Sequence, residues 1–121
     1  MRVFVTKVFA RFARSERIGD DRLREAVERA EAGLIDAALG GGLIKQRVAR
    51  SDQGRSGGFR TVIAFRHGER AVFLYGFAKS VRDNVDRSDL ERLRKLAAIY
   101  LLASVADLEA WCENKELREL I

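Results

Sequence analysis

The sequence predicts an α+β fold, in which a small antiparallel sheet carries an N-terminal helical pair and C-terminal helices. Between residues 43 and 82, runs rich in β-branched and aromatic residues follow one another with short links, which is typical of an antiparallel meander. Before and after this region apolar residues recur at i, i+3 and i+4, which indicates amphipathic helices. The chain has 121 residues and is 47% hydrophobic, so we expect one domain over 1–121, with the sheet at 43–82 and the C-terminal helices at 88–121.

The N-terminal part is predicted to form one strand and two helices. Arg2–Thr6 is rich in β-branched and aromatic residues and predicts a strand. Apolar spacing then predicts a short helix over Lys7–Ser15 and a second helix over Asp20–Ala32, whose early aspartates suit a helix N-terminus. Ala37–Leu39 is expected to extend or restart this helix, and Gly40–Gly42 to form a flexible joint.

Three strands are predicted after the glycines. They cover Leu43–Arg50, Gly58–Arg66 and Arg70–Ala78. The tripeptide His67–Glu69 predicts a tight hairpin turn between the last two, and Ser51–Gly57 predicts a loop between the first two. Short links of this kind favour antiparallel neighbours.

The C-terminal part is predicted to be helical. Ser88–Glu91 matches a capping box and predicts a helix over Asp89–Ala103. Ser104 is expected to cap a further helix over Val105–Glu113. The pattern of Leu117–Ile121 fits either a frayed helical turn or a short closing strand.

The composition excludes several kinds of site. Cys112 is the single cysteine of the sequence, so neither an intrachain disulfide nor a cysteine-rich zinc site can form. A catalytic pair of Cys112 with the single histidine, His67, is disfavoured because His67 stands in the predicted turn. We expect no metal and no cofactor. Since no apolar run is long enough for a signal peptide or a membrane span, we expect a cytoplasmic protein without a membrane partner.

The positive charge is concentrated in residues 43–82. Nine Lys or Arg residues and two acidic residues give this segment +7, whereas the whole chain carries +5 and has a pI near 9.9. The nine cations are Lys45, Arg47, Arg50, Arg55, Arg60, Arg66, Arg70, Lys79 and Arg82. A basic sheet face is suited to a polyanion, and RNA or DNA is the first candidate.

Strand alternation divides these cations between two faces. Lys45 and Arg47 share a face of the first basic strand, and Arg60 and Lys79 can converge with them if the strands keep register. The candidate catalytic residues are therefore Lys45, Arg47, Arg60 and Lys79. The candidate RNA-binding residues are Arg50, Arg55, Phe77 and Arg82. Arg50, Arg66 and Arg70 also fit a solvated surface, and Phe77 also fits the core.

Such a set of side chains can bind a phosphate backbone or cleave RNA without a metal. Cleavage would proceed by attack of the ribose 2′-OH on its own phosphodiester, which needs in-line geometry, cations on the developing phosphorane and two proton transfers. Arginine is well suited to the phosphorane but is a poor base. Lys45, with Arg47 and Arg60 beside it, is the candidate for proton transfer. Phe77 or Tyr75 could stack on an unpaired base.

The basic segment resembles a known family. The runs LIKQRVAR, GRSGGFRTVIAF and FLYGFAKSVRDNV resemble the RelE/HigB-like toxins of bacterial type II toxin–antitoxin systems, in the RelE/ParE superfamily, and the likeness covers about Met1–Leu102. The resemblance implies a ribosome-dependent mRNA endonuclease that inhibits translation, with the ribosome, mRNA and a cognate antitoxin of helix-turn-helix type as partners. By motif, Lys45 and Arg47 match the basic strand and Arg60 the end of SGGxR. Lys79 and Arg82 match the basic residues after the last core strand.

The chain departs from the pattern at one position. Well-known RelE proteins carry a tyrosine several residues after the last strand, and Asp83–Arg87 contains none. Stacking on an RNA base would then be supplied by Phe77 or Tyr75, or toxins with these motifs work without it. Two other functions are open: a ParE-like toxin that inhibits DNA gyrase by binding, which the concentrated basic set disfavours, and a non-enzymatic RNA-binding protein or decayed toxin.

Overall fold

A computed structural model describes residues 1–49, 58–79 and 85–120. Within these residues the chain forms six strands and four helices, which confirms the predicted α+β class. In chain order the elements are β1 (Arg2–Thr6), α1 (Lys7–Ser15), α2 (Asp20–Glu31), β2 (Ala37–Gly40), β3 (Leu43–Val48), β4 (Phe59–Arg66), β5 (Arg70–Ala78), α3 (Arg87–Leu102), α4 (Val105–Glu113) and β6 (Leu117–Leu120).

All six strands belong to one sheet, in the order β2-β3-β4-β5-β1-β6. The meander β3-β4-β5 is antiparallel as predicted, with β4 as its middle strand. β1 inserts between β5 and β6, parallel to β5 and antiparallel to β6. The N-terminal strand is therefore an interior strand, and only β2 and β6 are edges of the sheet in the described part of the chain.

Helices cover both faces of the sheet, and each face has its own apolar cluster. On one face α1 and α2 pack against the strands, and the ring of Phe9 lies 5.0 Å from that of Phe73. On the other face α3 and α4 pack over apolar residues of β3, β4 and β5, including Leu43, Ala64 and Val72. The interior strands are apolar on both sides for this reason, which is why β4 and β5 read as nearly continuous hydrophobic runs.

One predicted cap is confirmed and one is wrong. Ser104 caps α4 as expected, and it does so in a capping box with Asp107. The capping box predicted at Ser88 does not form, because the N-cap of α3 is Asp86. The Asp86 carboxylate accepts a hydrogen bond from the amide of Asp89 (3.0 Å) and another from the Ser88 hydroxyl (2.9 Å). An aspartate two residues earlier supplies a better-placed acceptor for the first turn than the serine does.

The predicted helical extension at Ala37–Leu39 is also wrong. These residues belong to β2, which pairs with β3 in an antiparallel hairpin. The turn uses Gly40, Gly41 and Gly42, whose φ angles are +83°, +63° and +83°, so the glycines form a defined reversal. A Cβ on Gly42 would lie 2.4 Å from Cδ1 of Leu101 in α3, which shows how closely the helix approaches the turn.

The C-terminal alternatives are resolved in favour of a strand. Leu117–Leu120 forms β6 and pairs with β1, from Val3 opposite Leu120 to Thr6 opposite Leu117. In the described ranges no helix has both the length and the apolar character needed to cross a bilayer.

Candidate active site

The strand register brings three of the predicted catalytic cations to one face of the sheet. Arg47 of β3 lies directly opposite Arg60 of β4, and Arg60 lies opposite Phe77 of β5. Lys45 is two residues before Arg47 and lies opposite Val62, so it shares this face, which is the face covered further along by α3. We call Lys45, Arg47 and Arg60 the basic cluster.

Arg60 is the most unusual member of the basic cluster. It is only 5% exposed, and its Nη1 has no hydrogen-bond partner among the described residues. A buried charged donor without a partner costs free energy, and a second guanidinium directly opposite, that of Arg47, adds repulsion. An anion placed between the two side chains would relieve both costs. The local geometry therefore favours an anionic ligand, which is the basis of the proposal below.

The other two members are more accessible. The side chain of Arg47 is exposed, and Lys45 is half-buried. A planar guanidinium that is free to reorient beside a fixed, buried one can grip two oxygens of a phosphate. An ammonium at the neighbouring position of the same face can exchange a proton with a group held there.

Aromatic side chains lie beside the basic cluster on β5. Phe77 is 5% exposed and belongs to the apolar cluster under α3, so its ring acts as core packing in this structure. Tyr75 is half-buried and its ring centroid lies 5.9 Å from that of Phe77. Of the two rings proposed for base stacking, Tyr75 is the accessible one.

Lys79 lies just beyond the end of β5. It is exposed, and its amide donates to the carbonyl of Gly58 (3.4 Å), which continues the β4–β5 ladder by one residue. Its position is at the same end of β4 as Arg60. Three predicted RNA-binding residues, Arg50, Arg55 and Arg82, lie outside the residues that the structure describes.

Two arginines predicted to be solvated surface have a structural role. Nη1 of Arg70 donates to the carbonyls of Tyr100 (2.9 Å) and Ala103 (2.7 Å), and Nη1 of Arg66 donates to that of Leu101 (3.0 Å). These carbonyls form the C-terminal end of α3, which lacks intrahelical partners and carries partial negative charge. The prediction for Arg66 and Arg70 is therefore wrong: they fasten α3 to the sheet.

The single cysteine and the single histidine have different surroundings. Burial raises the pKa of the Cys112 thiol, and Glu119 adds to the effect, which disfavours the reactive thiolate. His67 lies in the β4–β5 turn, where its Nε2 is 3.2 Å from the carboxylate of Glu31. Among the described residues no group of His, Cys, Asp and Glu side chains could hold a metal ion.

Sequence reasoning missed the residues that hold the main chain at the end of β3. Asp36 and Arg29 hydrogen-bond the main chain of Arg47, and the buried Gln46 bonds the turn that carries Asp36. These residues come from α2 and from the turn after it, and neither has a recognisable motif. The one signal that the sequence offers is the position of Gln46, which shares a strand face with the apolar Ile44 and Val48.

Comparison with protein families assigns the chain to a family. A family model described as the RelE toxin of the RelE / RelB toxin-antitoxin system matches residues 1–120. The match includes all six strands and therefore the whole basic cluster. No curated protein matches the chain.

Proposed function

The chain belongs to the RelE toxin family and is the toxin of a toxin–antitoxin system, and we propose that it is an endoribonuclease that cuts mRNA on the ribosome and thereby inhibits translation. The observation that carries the proposal is the cross-strand pair of Arg47 and Arg60, in which the buried guanidinium has an Nη1 without a partner in the described ranges. Burial of this donor without a partner is unfavourable, and an anionic ligand would offset it. The phosphodiester of RNA, whose negative charge grows as it becomes a phosphorane, is the ligand that fits best.

The proposed reaction is intramolecular transesterification. The ribose 2′-oxygen attacks the adjacent phosphorus, the 5′-oxygen leaves, and the products are a 2′,3′-cyclic phosphate and a 5′-hydroxyl. The 2′-OH loses a proton as it attacks, and the 5′-oxygen gains one as it leaves. The route uses side chains alone, with the phosphorane charge stabilised by fixed cations.

Each member of the basic cluster has a role in this scheme. Arg60, held rigidly by burial, binds a non-bridging oxygen, and the exposed Arg47 closes on the same phosphate. Lys45 serves proton transfer, because neither arginine can give up a proton. Tyr75 stacks on a neighbouring base, and Lys79 binds the backbone at the end of β4.

The same inventory explains dependence on the ribosome. On the described strands β3, β4 and β5 no histidine or carboxylate shares the face of the basic cluster, so the protein supplies charge more than acid–base chemistry. In-line geometry of the RNA, which the decoding site can impose on a codon, would compensate for this weak acid–base chemistry. We expect cleavage of free RNA to be slow. We also propose a cytoplasmic site of action, where translated mRNA is found, and an antitoxin of the helix-turn-helix type, which the resemblance of the basic segment implies.

Primer extension on translated mRNA tests the proposal. Brief expression of the wild-type protein should produce cuts in phase with codons, and Arg60→Ala should abolish them while leaving the far-ultraviolet spectrum unchanged. Arg66→Ala is the matched control, because Arg66 lies on the same face of β4 and serves α3 instead. If growth arrest comes with DNA damage and without cuts, the protein acts on gyrase. If there is no toxicity at all, it is a binding protein only.

The role of Lys45 is tested separately. Lys45→Arg keeps the positive charge but removes the group that can exchange a proton. We expect Lys45→Arg to lose cleavage while retaining affinity for the ribosome in a sedimentation assay. Wild-type cleavage by Lys45→Arg would mean that another group transfers the protons.

A further inference from the structure

The hydrogen-bond partners of β3 along its β2 edge change from a strand to side chains at Arg47. Strand β2 pairs with β3 only as far as Ala37 opposite Lys45, so no strand within the described residues pairs with β3 on that side at Arg47. The amide of Arg47 instead donates to Oδ2 of Asp36 (2.7 Å), and its carbonyl accepts from Nη2 of Arg29. Two side chains thus take the place of the missing strand, and both main-chain groups of this edge residue are satisfied.

The two side chains also bind each other. Nη1 of Arg29 is 3.6 Å from Oδ2 of Asp36, and its Nε is 2.6 Å from the carboxylate of Glu25 one helical turn earlier. The Arg29 side chain is only 13% exposed, so water competes little for these contacts. Charge-assisted hydrogen bonds in such surroundings are short and directional, and they hold the Arg47 peptide more firmly than a solvated edge would.

A buried amide holds Asp36 in place. Oε1 of Gln46 accepts from the amide of Asp36 (2.7 Å), and its Nε2 donates to the carbonyls of Ala26 (3.0 Å) and Leu34 (3.3 Å). Gln46 is fully buried and directly precedes Arg47. The contacts therefore close a loop that leaves β3 at Gln46, passes through the turn after α2 and returns to β3 at Arg47.

We infer that Asp36 and Arg29 are positioning residues for the reaction proposed above: they fix the Arg47 peptide at the edge of the sheet, so that its side chain stays opposite Arg60. The catalytic consequence of this inference rests on the proposed function. The hydrogen bonds that hold the Arg47 peptide do not depend on it. Without the two side chains the end of β3 would be an open edge, and displacement of a phosphate-binding group by about 1 Å can cost up to 10²-fold in rate.

The test compares two aspartates that bind arginines near opposite ends of α2. Asp36→Ala removes the acceptor at Arg47, whereas Asp20→Ala removes the partner of Arg118 on β6 (3.0 and 3.1 Å), at the other edge of the sheet. We expect Asp36→Ala to speed hydrogen exchange at the Arg47 amide and to lower kcat for cleavage of ribosome-bound mRNA by roughly 10- to 100-fold with little change in KM. Asp20→Ala should change neither.

A conservative variant separates positioning from general stability. Asp36→Asn keeps an oxygen that can accept from the Arg47 amide but loses the charge that holds Arg29, so it should recover part of the lost kcat and part of the exchange protection. Recovery of the melting temperature without recovery of kcat would overturn the inference. If Asp36→Ala unfolds, Asp36→Asn is compared directly with the wild type.

The outcomes for Arg47 keep this inference distinct from the proposed function. If Arg47→Ala is inactive and Asp36→Ala cleaves at the wild-type rate, the positioning role is wrong and the site stands. If Arg47→Ala itself cleaves normally, the proposed site is wrong. In that case hydrogen exchange at the Arg47 amide still decides whether Asp36 holds the edge, and unchanged exchange in Asp36→Ala refutes it.

Discussion

Two arginine pairs stand on the same face of the sheet, one at each end of β4. Arg47 lies directly opposite Arg60 at one end, and Arg70 lies directly opposite Arg66 at the other. At the second end, both side chains donate to the C-terminal carbonyls of α3. At the first end, Nη1 of Arg60 has no partner within the described ranges. The residue type and the face are the same, and what lies above them differs.

The comparison shows how one face of a sheet can hold a helix at one end and a candidate site at the other. Paired like charges repel, and at the α3 end the repulsion is offset because the helix terminus supplies negative partial charge. At the other end Nη1 of the buried Arg60 has no partner in the described part of the chain, and under our proposal an external anion supplies one. Substitutions at the two ends should therefore have different effects on activity and stability.

The largest expected effect is on activity at the basic end. The double variant Arg47→Met, Arg60→Met should lower cleavage of ribosome-bound mRNA by about 10²- to 10³-fold or more, since fixed donors to a developing oxyanion are worth this much singly. The double variant Arg66→Met, Arg70→Met should retain the wild-type rate per folded molecule, measured with the folded fraction fixed by circular dichroism. Equal loss in both doubles would end the distinction between the two pairs.

The next largest effect is on stability at the α3 end. Gly42→Ala places a Cβ at a strained φ of +83° and 2.4 Å from Leu101 Cδ1, so the buried Leu101 side chain or the turn must shift. We expect the free energy of unfolding to fall by about 2–3 kcal/mol in urea titrations. Gly68→Ala is the control, because Gly68 also has a positive φ (+75°) but has open space around its Cβ position. Its loss should be smaller, near 1 kcal/mol.

Single arginine substitutions give a smaller effect of opposite sign at the two ends. Arg70→Met removes two hydrogen bonds to α3 carbonyls and should lower the free energy of unfolding by about 1–2 kcal/mol. Arg60→Met removes a buried charge whose Nη1 has no partner in the described part of the chain, and it should leave stability unchanged or raise it by about 1 kcal/mol. Thermal unfolding of both variants measures the contrast, and destabilisation by Arg60→Met would contradict it.

The smallest effect concerns arginines that do have carboxylate partners. Hydrogen bonds from Arg2 lower the pKa of Glu119, and those from Arg118 lower the pKa of Asp20. A carboxylate whose folded pKa lies below its unfolded value stabilises the fold above the unfolded pKa, and the contribution is lost as the pH falls through the folded value. We expect a loss of less than about 1 kcal/mol per pair as the pH falls below about 4, because the pairs are partly exposed. Glu119→Gln should flatten this part of the stability profile.

The sequence predicts most of the fold because local signals and tertiary contacts agree. Strand β5 has its predicted bounds, and Ser104 caps α4 as expected. Prediction fails at Ala37–Leu39, where alanine and leucine favour a helix but pairing with β3 and the glycine turn impose a strand. It also misplaces the cap of α3, because Ser88 and Asp86 compete for the same first turn and only the structure shows which oxygen faces the amide.

The candidate site, like the fold, could be predicted only in part from the sequence. Alternation along β3 and β4 suffices to place Lys45, Arg47 and Arg60 on one face, since side-chain direction in a strand is a local property. Alternation cannot reveal what covers that face, so Arg66 and Arg70 look equally free in the sequence. The support of Arg47 by Arg29 and Asp36 joins residues from separate elements and has no periodic signature.

The insertion of β1 between β5 and β6 has a consequence for the order of folding. The meander that carries the basic cluster needs only neighbouring strands, so it can form by closing short loops soon after it is synthesised. Strand β1, in contrast, must wait for a partner more than half the chain away, since Arg2 pairs with Arg70. Non-local closure of this kind is slow, and until it occurs the β5 edge stays open. We expect a nascent toxin to display the strands of the basic cluster before the sheet that holds them is complete.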